Sequence, residues 1–180
     1  MSQGVVFFIE GPDDGRFIEQ VIEPKLTTDN VNTHTYSRQP DQSVDQAIAG
    51  FQGMYRDLYL LRDYDEGNQK CQCIVDRKDF VKDKFENIRK DQVIIVVDEI
   101  EAWYLAGISS ESASDLGINS YPNTNDVNKD DFLSELEESK YTSKKNFQME
   151  IIKRFSIDTA KKKNNSFQYC LHRLDPIIDT

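Results

Sequence analysis

The N-terminal half of the chain contains runs of residues that predict four strands. Helical patterns lie between these runs. Val5–Ile9 and Val93–Val97 contain only Val, Ile and Phe, which is typical of strands buried on both faces. Residues 31–36 contain Thr and Tyr, which suit β-structure, and indicate a strand nearer the edge of a sheet. Residues 58–61 form a short apolar run and predict the remaining strand.

Apolar residues at helical spacing predict a helix after each of these strands. The helices are expected after Asp13 or Asp14, over 43–54, over 79–89 and over 99–107. This alternation predicts a mostly parallel sheet with right-handed crossovers. If the second and third strands flank the first, with the fourth beside the third, the switch point lies between the first and third strands.

The remainder of the chain predicts helices and no strand. Residues 109–129 are rich in Ser, Asn and Asp with one helical turn, and helices follow over 129–138, 144–155 and 166–174. The predicted fold is α/β, a Rossmann-like, mostly parallel four-stranded sheet with flanking helices and a helical C-terminal extension. Residues 1–108 would form the core and 109–180 a polar connection and helices that pack on it as one domain.

The composition of the chain limits which class of protein it belongs to and which partners it is expected to bind. The 180 residues are 38% hydrophobic, which favours a globular domain over a disordered chain. The apolar runs are too short to span a bilayer and the N-terminus lacks a signal-peptide pattern, so a cytoplasmic location is expected. The net charge of −10 argues against tight unaided binding to nucleic acid. Cys71 and Cys73 are half of a zinc pattern whose second pair is missing.

Acidic residues follow three of the predicted strands, where a parallel sheet places its ligand-binding edge. Carboxylates gathered at such an edge repel one another unless a cation neutralises them. Oxygen ligands of this kind suit a hard cation, Mg²⁺ or Mn²⁺. The sequence therefore predicts a metal site. The acidic segments are Glu10-Gly11 with Asp14, Asp63-Tyr64-Asp65, and Asp98-Glu99-Ile100-Glu101.

At these residues the chain resembles the Toprim domain of topoisomerases, primases, recombination-repair proteins and OLD-type nucleases. Glu10-Gly11 after the first strand and Asp63-x-Asp65 after the third match the Toprim pattern. The glutamate pair Glu99 and Glu101, at the entrance to a helix, is similar to OLD-type and small stand-alone Toprim-like proteins. The resemblance covers residues 4–107, and the nuclease branch fits best.

The resemblance implies a nuclease dependent on one or two Mg²⁺ or Mn²⁺ ions, acting on DNA in preference to RNA. It implies a bacterial or phage-defence assembly with a partner ATPase, which the acidic charge also favours, and leaves a homo-oligomer open. Glu10, Asp63 and Lys144 would be catalytic, with Lys145 and Lys153 as alternatives to Lys144. The implied metal ligands are Glu10, Asp14, Asp63, Asp65, Glu99 and Glu101.

Other interpretations of the same residues stay open. Asp13, Asp14 and Asp98 also fit helix caps, and Glu101 also fits a solvated helix position. For the whole chain, the alternatives are a non-catalytic interaction module on a Toprim scaffold and a metal-dependent nucleotidyl- or glycosyltransferase. Tyr64 is expected to point away from Asp63 and Asp65 into packing, and Trp103 to lie in the core.

Overall fold

A four-stranded parallel sheet organises the N-terminal part of the protein. A computed structural model describes residues 4–64 and 74–178. Its strands are β1 (Val5–Ile9), β2 (Val31–Thr35), β3 (Asp57–Tyr64) and β4 (Val93–Val97). The strand order is β2-β1-β3-β4 and all strands are parallel, so the predicted fold class and strand order are confirmed.

The central strand β1 is buried along its whole length. It pairs from Val5 to Ile9 with β2, and from Val5 to Phe8 with Asp57 to Leu60 of β3. One face of the sheet, including Val6, Phe8 and Leu60, packs against apolar residues of the helices that follow β2 and β3. Burial on both faces explains why β1 is a continuous apolar run.

Three α-helices accompany the strands within the part of the chain that the structure describes. They are α1 (Pro12–Phe17), which continues as a π-helical turn over Ile18–Ile22, α2 (Asp41–Gln52) and α3 (Ile74–Lys84). The prediction of a helix over 79–89 was wrong because α3 starts earlier and ends at Lys84. Beyond it, Asn87 donates its backbone N–H to Asp45 of α2 at 2.9 Å, an interaction that takes the chain out of the helix.

Among the described residues, six further α-helices follow β4, one of which was not predicted. Only Ala160 of α8 is buried, so this helix lacks the apolar stripe that a sequence pattern needs, although the Ser156 hydroxyl accepts the Thr159 N–H at its start. α6 has its predicted bounds, whereas α7 ends at Ile152 instead of residue 155. The helices are α4 (Ile100–Ala106), α5 (Ser110–Leu116), α6 (Lys129–Glu138), α7 (Lys144–Ile152), α8 (Ile157–Lys163) and α9 (Asn165–Leu174).

The chain divides into two compact units. The N-terminal unit contains the residues up to Ile95 together with those from Arg173 onwards. The helical unit is Val96–His172. The division therefore falls before α4. Every residue of α4 is buried and the helix packs against α6, α7 and α8, which explains its place in the helical unit.

Core positions behave as the apolar pattern predicts. Trp103 is fully buried and its indole N–H donates to the Ser166 hydroxyl at 2.7 Å. Cys170 is a buried free thiol, whereas Cys71 and Cys73 lie outside the described residues. Within residues 4–64 and 74–178, no helix has both the length and the apolar content needed to cross a bilayer.

Candidate functional site

The switch point of the sheet lies between β1 and β3, because β2 and β3 flank β1 on opposite sides. Ligands of open parallel sheets bind outside the carboxyl ends of the strands at such a point. Glu10 directly follows β1, and Asp63 is the penultimate residue of β3. The structure thus brings these two predicted residues to the same edge of the sheet.

Glu10 has two partners at this edge, and both meet the same carboxylate oxygen. The Arg62 Nε lies 3.1 Å from Glu10 Oε1, and the Tyr36 hydroxyl lies 3.2 Å from that atom. The side chains of Glu10 and Arg62 are each 31% exposed. The β1–β3 register, extended two residues beyond the Phe8–Leu60 pair, places Glu10 level with Arg62 and accounts for their contact.

Tyr36 joins the ends of three strands. Its backbone N–H donates to the Ile9 carbonyl at 3.0 Å, and its hydroxyl donates to the Leu61 carbonyl at 2.8 Å. Burial, and next the negative charge of Glu10, raise the pKa of Tyr36 well above its usual value. The hydroxyl therefore stays protonated, and remains a donor, throughout the neutral range.

Sequence reasoning missed both Arg62 and Tyr36 as parts of this edge. Arg62 directly precedes Asp63. A basic residue next to the carboxylates at the end of a strand indicates that its positive charge balances them. Tyr36 directly follows β2 and has no comparable feature in the sequence. Its role depends on a hydroxyl that crosses β1 to reach β3, which only the strand order reveals.

Asp14 acts at the start of α1. Its Oδ2 accepts the backbone N–H of Gly11, the N-cap residue, at 2.6 Å, and the residue is 4% exposed. The helix thus starts before Asp13 and Asp14, with Gly11 as its N-cap, and Asp14 supports that start from the third helical position instead of being the N-cap residue. Asp13 instead pairs with Arg16, with 2.8 Å between Oδ1 and Nη1.

The two aspartates of the Asp63-x-Asp65 motif are described unequally. By strand alternation, Asp63 shares a face of β3 with Tyr59 and Leu61. Tyr64 occupies the other face, where it packs against the core beneath the Arg77 guanidinium, as predicted. Asp65 lies outside the described residues.

The segment after β4 belongs to the helical unit. Glu99 is the N-cap of α4, so the interpretation of Asp98 as the cap is wrong. Asp98 precedes the cap with a φ of 60°, in the left-handed region that a non-glycine residue rarely adopts. Glu99 Oε1 lies 3.6 Å from the Nζ of Lys129, the first residue of α6.

Glu101 and Lys144 form a close ion pair. Lys144 Nζ lies 2.5 Å from Glu101 Oε1, and the Glu101 side chain is only 4% exposed. The interpretation of Glu101 as a solvated helix residue is therefore wrong. The partner comes from the first residue of α7, next to the Ser143 N-cap, while Lys145 is exposed.

Each of the three predicted glutamate ligands thus has a basic partner within its own unit. The pairs are Glu10–Arg62, Glu99–Lys129 and Glu101–Lys144. Within the described residues, no three or more His, Cys, Asp or Glu side chains are grouped so as to hold a metal ion. Mg²⁺ is commonly held by one or two carboxylates and keeps several waters, so the Glu10 and Asp63 oxygens fit its ligand chemistry.

Comparison with known proteins identifies no relative of this chain. Neither the protein-family models, nor the curated proteins, nor the solved structures contain a match to the chain. The similarity to Toprim domains accordingly stays a prediction based on the three acidic motifs.

Proposed function

We propose that the protein is a divalent-metal-dependent nuclease that hydrolyses phosphodiester bonds. The observation that carries this proposal is the location of Glu10 and Asp63 at the carboxyl edge of β1 and β3, the switch point of the sheet. Hard oxygen donors at that position suit Mg²⁺ or Mn²⁺. The Toprim-like spacing of the same residues directs the proposal to phosphodiester chemistry.

The residues have separate roles in this proposal. Glu10 and Asp63 would hold the cation, which supplies Lewis acidity and a water of lowered pKa for attack on phosphorus. By the Toprim resemblance, Lys144 would offset negative charge in the transition state, because an ammonium group stabilises the phosphoryl oxygens. The Toprim resemblance adds Asp14, Asp65, Glu99 and Glu101 as further ligands, for one ion or two.

The charge of the chain supports a partner. With 32 acidic and 22 basic residues, the protein has little general attraction for a polyanion. We propose that a companion subunit, an ATPase in a bacterial or phage-defence assembly, delivers the nucleic acid, and that DNA is its usual form. A cytoplasmic location belongs to the same proposal.

The direct test is cleavage of supercoiled plasmid and of single-stranded RNA with Mn²⁺, with and without the product of the neighbouring gene. Glu10→Gln and Asp63→Asn should each lower cleavage at least a hundredfold. Asp57→Asn is the matched control, because Asp57 lies at the opposite end of β3 and pairs with Arg56. Cleavage that is absent under all conditions, or unchanged in both site variants, would refute the proposal.

A non-catalytic interaction module is the second candidate. The observation in its favour is that Glu10, Glu99 and Glu101 each have a basic partner and so need no metal ion for charge balance. Titration with Mn²⁺ separates the two candidates. A folded protein that binds no Mn²⁺ at millimolar concentration would favour the module, and saturable binding lost in Glu10→Gln would favour the nuclease.

A further inference from the structure

We propose that Arg62 is a resident counter-ion of Glu10 which a divalent cation must displace, so that Arg62 sets the cation affinity of this edge of the sheet. The inference rests on the proposed function, because it takes Glu10 as a cation ligand. It assigns a regulatory role to a residue that the Toprim-like motifs do not include. Without Arg62, Glu10 should bind the cation more tightly.

The first argument is geometric. Arg62 Nε lies 3.1 Å from Glu10 Oε1, within ion-pair distance, and among the described residues Arg62 is the one basic side chain that pairs with Glu10. A divalent cation bound to this carboxylate would lie a few ångströms from the guanidinium. Because arginine does not lose its proton, repulsion between the two positive charges cannot be relieved by deprotonation.

The second argument is that this pair can open. Both side chains are 31% exposed, so water can solvate the guanidinium when it leaves. The contrast is the Glu101–Lys144 pair, in which the carboxylate is 4% exposed and separation would leave a buried charge. Of the two pairs, only Glu10–Arg62 can exchange its arginine for a divalent cation without leaving a buried charge unpaired.

The third argument concerns Tyr36, the other partner of Glu10. A tyrosine hydroxyl has one proton, and the Leu61 carbonyl, at 2.8 Å, is closer to it than Glu10 Oε1, at 3.2 Å. The hydroxyl therefore keeps its donor bond when the Glu10 carboxylate turns toward a cation. Rearrangement of Glu10 leaves the Tyr36 hydroxyl satisfied, and the cost of exchange falls on Arg62, which gives up its contacts with Glu10 and Tyr36.

Direct measurement of Mn²⁺ binding tests the inference without an activity assay. Free Mn²⁺ is followed by electron paramagnetic resonance during titration of the full chain. Arg62→Gln and Arg62→Met remove the charge and should tighten binding about tenfold, a gain that shrinks at high salt because exposed charges are screened. Arg62→Lys retains the charge and should bind like the wild type. Tyr36→Phe should change the dissociation constant less than about twofold, since the Arg62–Glu10 pair remains.

The opposite result identifies a different role. If Arg62 orients Glu10 for the cation, as partners of metal ligands commonly do, its replacement should weaken binding by about 10- to 100-fold. Unchanged or weaker binding in folded Arg62→Gln or Arg62→Met overturns the counter-ion role while leaving the metal site intact. If Glu10→Gln binds Mn²⁺ as well as the wild type does, the metal site itself is refuted, and this inference with it. Thermal melting of each variant confirms that it is folded.

Discussion

Glu101 Oε1 and Lys144 Nζ lie 2.5 Å apart and join α4 to the first turn of α7. The carboxylate is nearly removed from water, so its charge depends on the ammonium group for compensation. Lys144 is itself 26% exposed at its side chain, which leaves its ammonium partly solvated. The pair therefore serves the packing of the helical unit independently of the catalytic role proposed for Lys144.

Lys144→Met should destabilise the protein, because it leaves the Glu101 carboxylate buried without its cation. We expect a loss of about 2 kcal/mol, below the usual cost of breaking a fully buried pair because Lys144 is partly exposed. Urea denaturation measures it. Lys145→Met, at the exposed neighbouring position, is the matched control and should change the free energy of unfolding by less than about 0.5 kcal/mol.

The double variant Glu101→Gln/Lys144→Met isolates the interaction. Removing both charges should restore much of the stability that Lys144→Met loses, since no isolated carboxylate remains buried. Losses in the two single variants that simply add in the double variant would show that Glu101 and Lys144 are not coupled.

Gly107 and Gly50 should respond in opposite directions to replacement by alanine. A Cβ at Gly107, the residue after α4, would overlap the Phe155 ring, so Gly107→Ala should cost about 1–3 kcal/mol. A Cβ at Gly50, inside α2, meets no atom within 4 Å, so Gly50→Ala should gain about 0.5–1 kcal/mol. Thermal or urea unfolding of both variants checks the pair. A neutral Gly107→Ala would mean that Phe155 moves aside freely.

The sheet was predictable because each strand is specified by residues that are adjacent in sequence and strongly apolar. Continuous apolar runs define β1 and β4, and the rules for right-handed crossovers leave few strand orders to choose from. The location of Glu10 and Asp63 at the switch point follows directly from that order. α6 was equally predictable because Asn128 accepts the N–H groups of Asp130 and Asp131 at its start.

The ion pairs were not predictable, because they join residues distant in sequence. Lys144 contacts Glu101 across 43 positions, and no spacing rule connects them. The prediction of a metal site was based on the acidic residues alone and did not include their basic partners. Arg62, Lys129 and Lys144 provide basic partners for Glu10, Glu99 and Glu101, and only a folded structure shows which cation meets which carboxylate.

Stability at alkaline pH should depend on Tyr121. Burial, and then the hydrogen bond to and charge of Glu135, raise the pKa of Tyr121 well above its usual value. Above about pH 10 the unfolded chain loses the Tyr121 proton while the folded chain retains it, so the free energy of unfolding falls as pH rises. Below that pH both states are protonated and the contribution is constant.

Tyr121→Phe should therefore show a shallower loss of stability than the wild type between about pH 10 and pH 11.5. Urea denaturation at a series of pH values measures the slope. Glu135→Gln retains the tyrosine but removes the neighbouring charge, and should give an intermediate slope. If Tyr121→Phe and the wild type have equal slopes over this range, Tyr121 does not retain its proton in the folded state.

The backbone of Asp98 leads to a last prediction, in which two variants share the loss of a side chain and differ only in conformational freedom. Asp98 has a φ of 60° between β4 and α4, where a Cβ costs about 1 kcal/mol and glycine costs nothing. Asp98→Gly should therefore be about 1 kcal/mol more stable than Asp98→Ala in urea denaturation. Arg38, exposed and with a φ of 68°, is the control pair: Arg38→Gly should exceed Arg38→Ala by a similar amount. Asp98 directly precedes Glu99, a proposed metal ligand, so under the proposed function both Asp98 variants should also lower nuclease activity, whereas the Arg38 variants should keep it. Full activity in Asp98→Gly would assign this strain to the strand-to-helix turn alone.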